Sequence, residues 1–127
     1  MIETLLLVDD DIDEHELFAD VLHQVNKDIL FLGAKNGLEA ISKLEKLQPS
    51  IPDAIFLDLN MPVMNGKQFL TRIKAMPLYS QIPVYIYSTS SNIEDKQETL
   101  KLGATNFFTK PDNIDKLYDT LKHIVLA

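Results

Sequence analysis

The sequence predicts one α/β domain: a parallel β-sheet with helices on both faces. Two observations predict it. Short apolar runs alternate with stretches of helical periodicity, and four of the runs stop on residues able to do chemistry. Leu5-Leu6-Leu7-Val8 stops on Asp9-Asp10-Asp11, and Ile55-Phe56-Leu57 stops on Asp58. Val84-Tyr85-Ile86-Tyr87 stops on Ser88, and Asn106-Phe107-Phe108-Thr109 on Lys110-Pro111. Open parallel sheets place their sites outside the C-terminal ends of their strands. Four such runs side by side would therefore gather several acids, a hydroxyl and a lysine.

The elements follow in order. Residues 4–9 read as a buried strand, after which Leu17, Phe18, Val21, Leu22 and Val25 repeat at helical spacing behind acids that suit a helix N-terminus, with Asp11 or Asp13 as its cap. A second strand, 29–34, closes at Asn36-Gly37, and Ala40, Ile41, Leu44 and Leu47 mark a second helix that Pro49 and Pro52 end. Strand three is 54–58. Past the Asn65-Gly66 turn, Phe69, Leu70, Ile73 and Met76 mark helix three, ended by Pro77. Strand four is 83–88. Helix four is expected from Ile93 to Leu102, with Ile93 and Leu100 as its apolar anchors, and it stops at Gly103. After strand five, 106–109, a stripe of Ile114, Leu117, Tyr118, Leu121, Ile124 and Val125 marks helix five. Five βα units imply a parallel sheet covered on both faces.

Composition narrows the function classes. The 127 residues, 46% of them hydrophobic, suffice for one domain with a real core. Twelve Lys and Arg against 19 Asp and Glu give a net charge of −7, which disfavours direct binding to nucleic acid or to an anionic membrane surface. The absence of cysteine excludes disulfides and thiolate chemistry. No apolar stretch approaches membrane-spanning length, and the first strand begins too early for a signal peptide, so a cytoplasmic protein is expected. His15, His23 and His123 show no metal-ligand spacing and read as helix-surface residues.

Five ordered motifs carry a resemblance. Leu7-Val8-Asp9-Asp10, Leu57-Asp58-Leu59-Asn60-Met61-Pro62-x-Met64-x-Gly66, Tyr87-Ser88-Thr89, Leu102-Gly103-Ala104 and Thr109-Lys110-Pro111 together resemble the receiver domain of two-component response regulators. The likeness covers essentially the whole chain, with 30 residues from Asp58 to Ser88 and 22 from Ser88 to Lys110. It implies a flavodoxin-like (βα)5 fold with strand order 2-1-3-4-5, an order for which a member of this family is itself a standard example. With that likeness over residues 1–127 and the sequence stopping at Ala127 just after helix five, a single receiver domain without an output domain is expected.

The resemblance assigns roles. Asp58 is the implied phosphoacceptor, a carboxylate nucleophile that takes a phosphoryl group from phosphohistidine as an acyl phosphate. Mg2+ is the implied cofactor, with Asp10 as a direct ligand, Asp9 acting mainly through water, Asp58 giving a carboxylate oxygen and Asn60 its backbone carbonyl. Without metal, the clustered acids should raise one another's pKa values. Lys110 is the implied point charge, paired with Asp58 and then with the phosphoryl oxygens. Ser88 is the switch hydroxyl and Phe107 the aromatic switch. Asn60 and Ser90 flank the path of the water that removes the phosphoryl group. Lys110-Pro111 is implied to be a cis peptide. Taken singly, Ser88 reads as a turn hydroxyl, Lys110 as a surface lysine and Phe107 as core; order and spacing favour the functional reading.

The expected function is that of a signalling phosphoacceptor, not an enzyme. It would be phosphorylated by a sensor histidine kinase or a histidine phosphotransfer protein and would signal to a target protein through its helix 4/strand 5/helix 5 face. A terminal regulator, as in chemotaxis, and an intermediate phosphorelay shuttle both remain open at this point. The Ser88-Thr89-Ser90 stretch and the acidic helix after it look similar to small receivers associated with phytochrome-type kinases. A haloacid-dehalogenase-type phosphatase would need a second aspartate two residues after its nucleophile, where this chain has Asn60. A flavodoxin would need a phosphate-cradling loop where Asp9-Asp10-Asp11 stand. A pseudo-receiver would be expected to lack an acid or the lysine, and none is missing.

Overall fold

The computed structural model describes residues 2–126; Met1 and Ala127, the ends of the expected domain, lie outside it. Ten elements alternate without exception: β1 (Thr4–Val8), α1 (Ile12–Val25), β2 (Leu30–Ala34), α2 (Gly37–Leu47), β3 (Ala54–Leu57), α3 (Gly66–Lys74), β4 (Val84–Ser88), α4 (Ile93–Lys101), β5 (Asn106–Thr109) and α5 (Ile114–Val125). All four strand pairings are parallel, and the order across the sheet is β2-β1-β3-β4-β5.

The period-2 alternation of the strands sorts the core into two layers. Leu6, Val8, Ile55, Leu57, Val84, Ile86 and Phe107 point to the side covered by α2 and α3. Leu5, Leu7, Phe56 and Tyr87 point to the side covered by α1 and α5. On that second side Phe18 sits edge-on to both Phe56 and Tyr87, with ring centroids 5.1 and 5.7 Å apart. Burying these rings and aliphatic chains on both sides supplies the apolar transfer energy that holds the strand ends in place.

The helices start where side-chain caps satisfy their first N–H groups. Asp11 caps α1 through the Asp13 N–H, and Asn36, Asn65, Asn92 and Asn113 cap the other four. Asn65 and Gln68 form a full capping box.

Three sequence expectations are corrected. Ile93 and Leu100 do not anchor α4: they are 67% and 41% exposed, and the buried side chain of that helix is Thr99. The apolar residues of a nine-residue helix that only skirts the β5 edge fall on its outer face, while the Thr99 hydroxyl is satisfied by the Asp95 and Lys96 carbonyls. His15 is half-buried and engaged, not a free surface residue. Gly33 has no side chain to exclude its ring, which lies edge-on to Phe31, and its Nε2–H donates to the Asp9 carbonyl at 2.7 Å. Lys110-Pro111 is trans, the form ordinarily preferred before proline; the cis bond among the described residues is Gln48-Pro49.

Candidate functional site

The site grows out of strand register. Val8 lies opposite Leu57, and the Asp58 N–H donates to the Val8 carbonyl at 2.9 Å, so one further residue on each strand sets Asp9 beside Asp58. Ser88 lies opposite Thr109, and the Lys110 N–H donates to the Ser88 carbonyl at 2.7 Å. Continuing the pleat past each strand end gives Asp9, Asp58 and Lys110 one parity and Ser88 the other. The first three therefore lean toward the α1/α5 side, with the Lys110 ammonium 5.7 Å from the centre of the Tyr87 ring below it.

Carboxylate oxygens of Asp9, Asp10 and Asp58 all lie within 4.8 Å of one another. Asp9 is fully buried, Asp58 is 6% exposed, and Asp10 is open to solvent. Both oxygens of Asp9 are engaged: Oδ1 accepts the Asp11 N–H at 2.9 Å and Oδ2 accepts Lys110 Nζ at 2.7 Å. The ion pair of Lys110 is thus with Asp9, where the sequence suggested Asp58. Parity accounts for the difference, because it aims all three groups into one space and the more deeply buried acid takes the ammonium.

Electrostatics mark Asp58 as the unsettled member. Burial pushes its carboxyl up to about 6, and the charges of Asp9 and Asp10 push the same way, against Lys110 and a hydrogen bond from the Asn60 backbone. Burial alone would lower Lys110, but the Asp9 hydrogen bond and the Asp58 charge hold it above its ordinary value. Three hard oxygen donors with mutual repulsion suit a small divalent cation. A cleft of about 450 Å³ opens beside them, lined by Asp10, Asn60, Asn65, Lys67 and Asp95.

The other predicted residues are distributed around this centre. Ser88 is fully buried, and its Oγ accepts the Ser90 N–H at 3.3 Å. Asn60 is exposed at the cleft. Ser90 sits at the start of α4, donating from Oγ to Asp95 Oδ2 at 2.8 Å. Phe107 is buried on the opposite side of the sheet from Lys110, within the α2/α3 layer.

Three residues that matter here had no site role in the sequence reading. Glu14 lies four positions after Asp10, and its Oε2 is buried with no hydrogen-bond partner; burial raises its carboxyl and Lys110 lowers it. A signal existed, because Glu14 precedes Phe18 by four and Val21 by seven and so lies on the apolar stripe of α1. Tyr87, quoted only as part of a motif, forms the floor under Lys110, and burial raises its hydroxyl pKa. Gly66 opens α3 so close to the nucleophile's backbone that a Cβ would stand 2.3 Å from the Asp58 carbonyl oxygen.

The chain as a whole has known counterparts. The family model described as the response regulator receiver domain matches residues 5–122. A protein-glutamate methylesterase/protein-glutamine glutaminase of Methanococcoides burtonii is 37% identical over 120 residues, covering 92% of this chain and 32% of that protein. The chain thus spans about a third of that curated relative. The phosphorylated cyanobacterial phytochrome response regulator RcpA is similar in structure, with TM-score 0.87 and 30% identity, over 98% of this chain and 91% of that one. The Mn2+-bound form of response regulator Rcp1 gives TM-score 0.80 and 29% identity, over 96% of this chain and 91% of that one. With strand order, acidic cluster and family model in agreement over nearly its whole length, the chain belongs to the response regulator receiver domain family.

Proposed function

We propose that Asp58 accepts a phosphoryl group from a sensor histidine kinase or histidine phosphotransfer protein in the cytoplasm, and that the acyl phosphate shifts α4, β5 and α5 to engage a target protein. The observation that carries this reading is the position of Asp58: buried, its carboxyl raised by that burial and by its acidic neighbours, and near a lysine whose charge is committed to the same cluster. An oxygen of Asp58 attacks phosphorus, the bond from phosphorus to the donor's imidazole nitrogen breaks, and the imidazole keeps the electron pair.

Asp10 would hold Mg2+ directly, Asp9 through water, Asp58 through one oxygen and Asn60 through its carbonyl. Asp9 suits the indirect role because both its oxygens already have partners. The ion supplies positive charge that lets an anionic phosphoryl group approach anionic carboxylates. Relatives solved in a phosphorylated form and in a Mn2+-bound form support both parts of the reading. Lys110 neutralises the transferred group, and Ser88 supplies a hydroxyl that turns toward it. Asn60 and Ser90 border the route of the hydrolytic water and set how long the acyl phosphate lasts.

The test is exposure to acetyl phosphate with Mg2+, read by intact mass. The wild-type chain should gain one phosphoryl group and Asp58→Asn none. Equal labelling of the two would overturn the assignment.

A further inference from the structure

A lysine is poorly placed in the first turn of a helix, where the unpaired N–H groups carry partial positive charge. Lys67 is the second residue of α3 and has no acid in that turn to offset it. Its partners are on α4: Nζ donates to Asp95 Oδ1 at 2.7 Å and to Glu98 Oε2 at 2.8 Å. The second oxygen of Asp95 accepts Ser90 Oγ at 2.8 Å. That Ser90 Oγ in turn accepts the Asn92 N–H at 3.2 Å, and the Ser90 N–H donates to the buried Ser88 Oγ at 3.3 Å. A chain of hydrogen-bonded residues therefore runs from α3 to the buried Ser88 hydroxyl at the C-terminal end of β4.

Little else fixes α4. Its one buried side chain is Thr99, and Ile93 and Leu100 face solvent. Polar contacts thus carry a share of the restraint that apolar burial carries in α1 and α5.

We propose that Lys67 is a positioning residue of the switch: through Asp95 and Glu98 it tethers α4 and so sets the resting place of the Ser88–Ser90 loop. This rests on the reading of Ser88 as the hydroxyl that answers phosphorylation. A Ser88 hydroxyl that turns toward a phosphoryl group gives up the Ser90 N–H, while Ser90 remains held by Asp95. The tether therefore opposes the turn, and its removal favours the second arrangement. Lys67 and Asp95 also line the cleft beside Asp10 and Asn60, so the tether forms part of its wall.

Amide hydrogen exchange of the full chain, without Mg2+ or phosphoryl mimic, tests the tether. Lys67→Met should speed exchange over residues 90–101 by about two- to fivefold, the range expected for partly exposed ion pairs, and leave α1 and α5 unchanged. Lys67→Arg should restore the wild-type pattern, and Asp95→Asn should reproduce the Lys67→Met pattern. In ~1 M salt the wild type should approach Lys67→Met. Beryllofluoride with Mg2+ should bind Lys67→Met about two- to fivefold more tightly than wild type. Unchanged α4 exchange in Lys67→Met would overturn the tether. Faster exchange without tighter beryllofluoride binding would overturn the positioning role. A wild-type chain that binds no beryllofluoride would instead count against the phosphoacceptor reading and leave the ligand-free exchange result standing.

Discussion

Lys110 Nζ lies 2.7 Å from Asp9 Oδ2, with the lysine side chain 11% exposed and the aspartate fully buried. Lysine and a divalent cation thus compete for the charge of one acidic cluster. Removing the lysine removes a rival cation, so Lys110→Met should bind Mg2+ several-fold more tightly by calorimetry while accepting phosphoryl groups far more slowly. A variant that loses Mg2+ affinity altogether would contradict this division of labour.

The raised carboxyl of Asp58 fixes a pH dependence. Between its ordinary value near 3.8 and about 6, the folded metal-free protein binds the proton more strongly than the unfolded chain does. Stability from this group is therefore fully present below the lower value and is lost as pH rises through the upper one. Asp58→Asn should flatten that limb in urea titrations and stabilise the metal-free protein at neutral pH by about 1–2 kcal/mol, a figure discounted for the water that reaches the cleft. Mg2+ affinity should move in the opposite sense, falling about tenfold for each pH unit below 6 as the proton takes the ligand oxygen.

Gly66 is required for space. Its added Cβ would meet the Asp58 carbonyl oxygen at 2.3 Å and Leu59 Cα at 2.7 Å, both backbone atoms that cannot rotate away. Gly66→Ala should cost about 2–3 kcal/mol in urea unfolding and slow phosphorylation by acetyl phosphate, because α3 must back away from the nucleophile's own peptide. Wild-type stability in this variant would show that the loop relaxes freely.

Much of this was legible in the sequence, for identifiable reasons. Strands with uninterrupted apolar runs, such as Leu5 to Val8 and Ile55 to Leu57, announced burial on both faces, and the acids before helix one marked its cap. Strand order was not contained in the alternation of elements and came from the resemblance. The acids and Lys110 were legible as strand-end residues, but their pairing was not, since it depends on pleat parity carried past the last paired residue. α4 misled because Ile93 and Leu100 have core-type side chains and no core to enter. Nothing in the sequence singled out Lys67, Asp95 and Glu98, and only the approach of α3 to α4 brings them together.

The most direct test of the account is hydrogen exchange of the wild type with and without beryllofluoride plus Mg2+, run beside Ser88→Ala. Protection should change most over residues 88–108 in the wild type, and Ser88→Ala should bind the mimic with a much smaller change there. Changes confined to the loops around Asp10 and Asp58 in both proteins would contradict it.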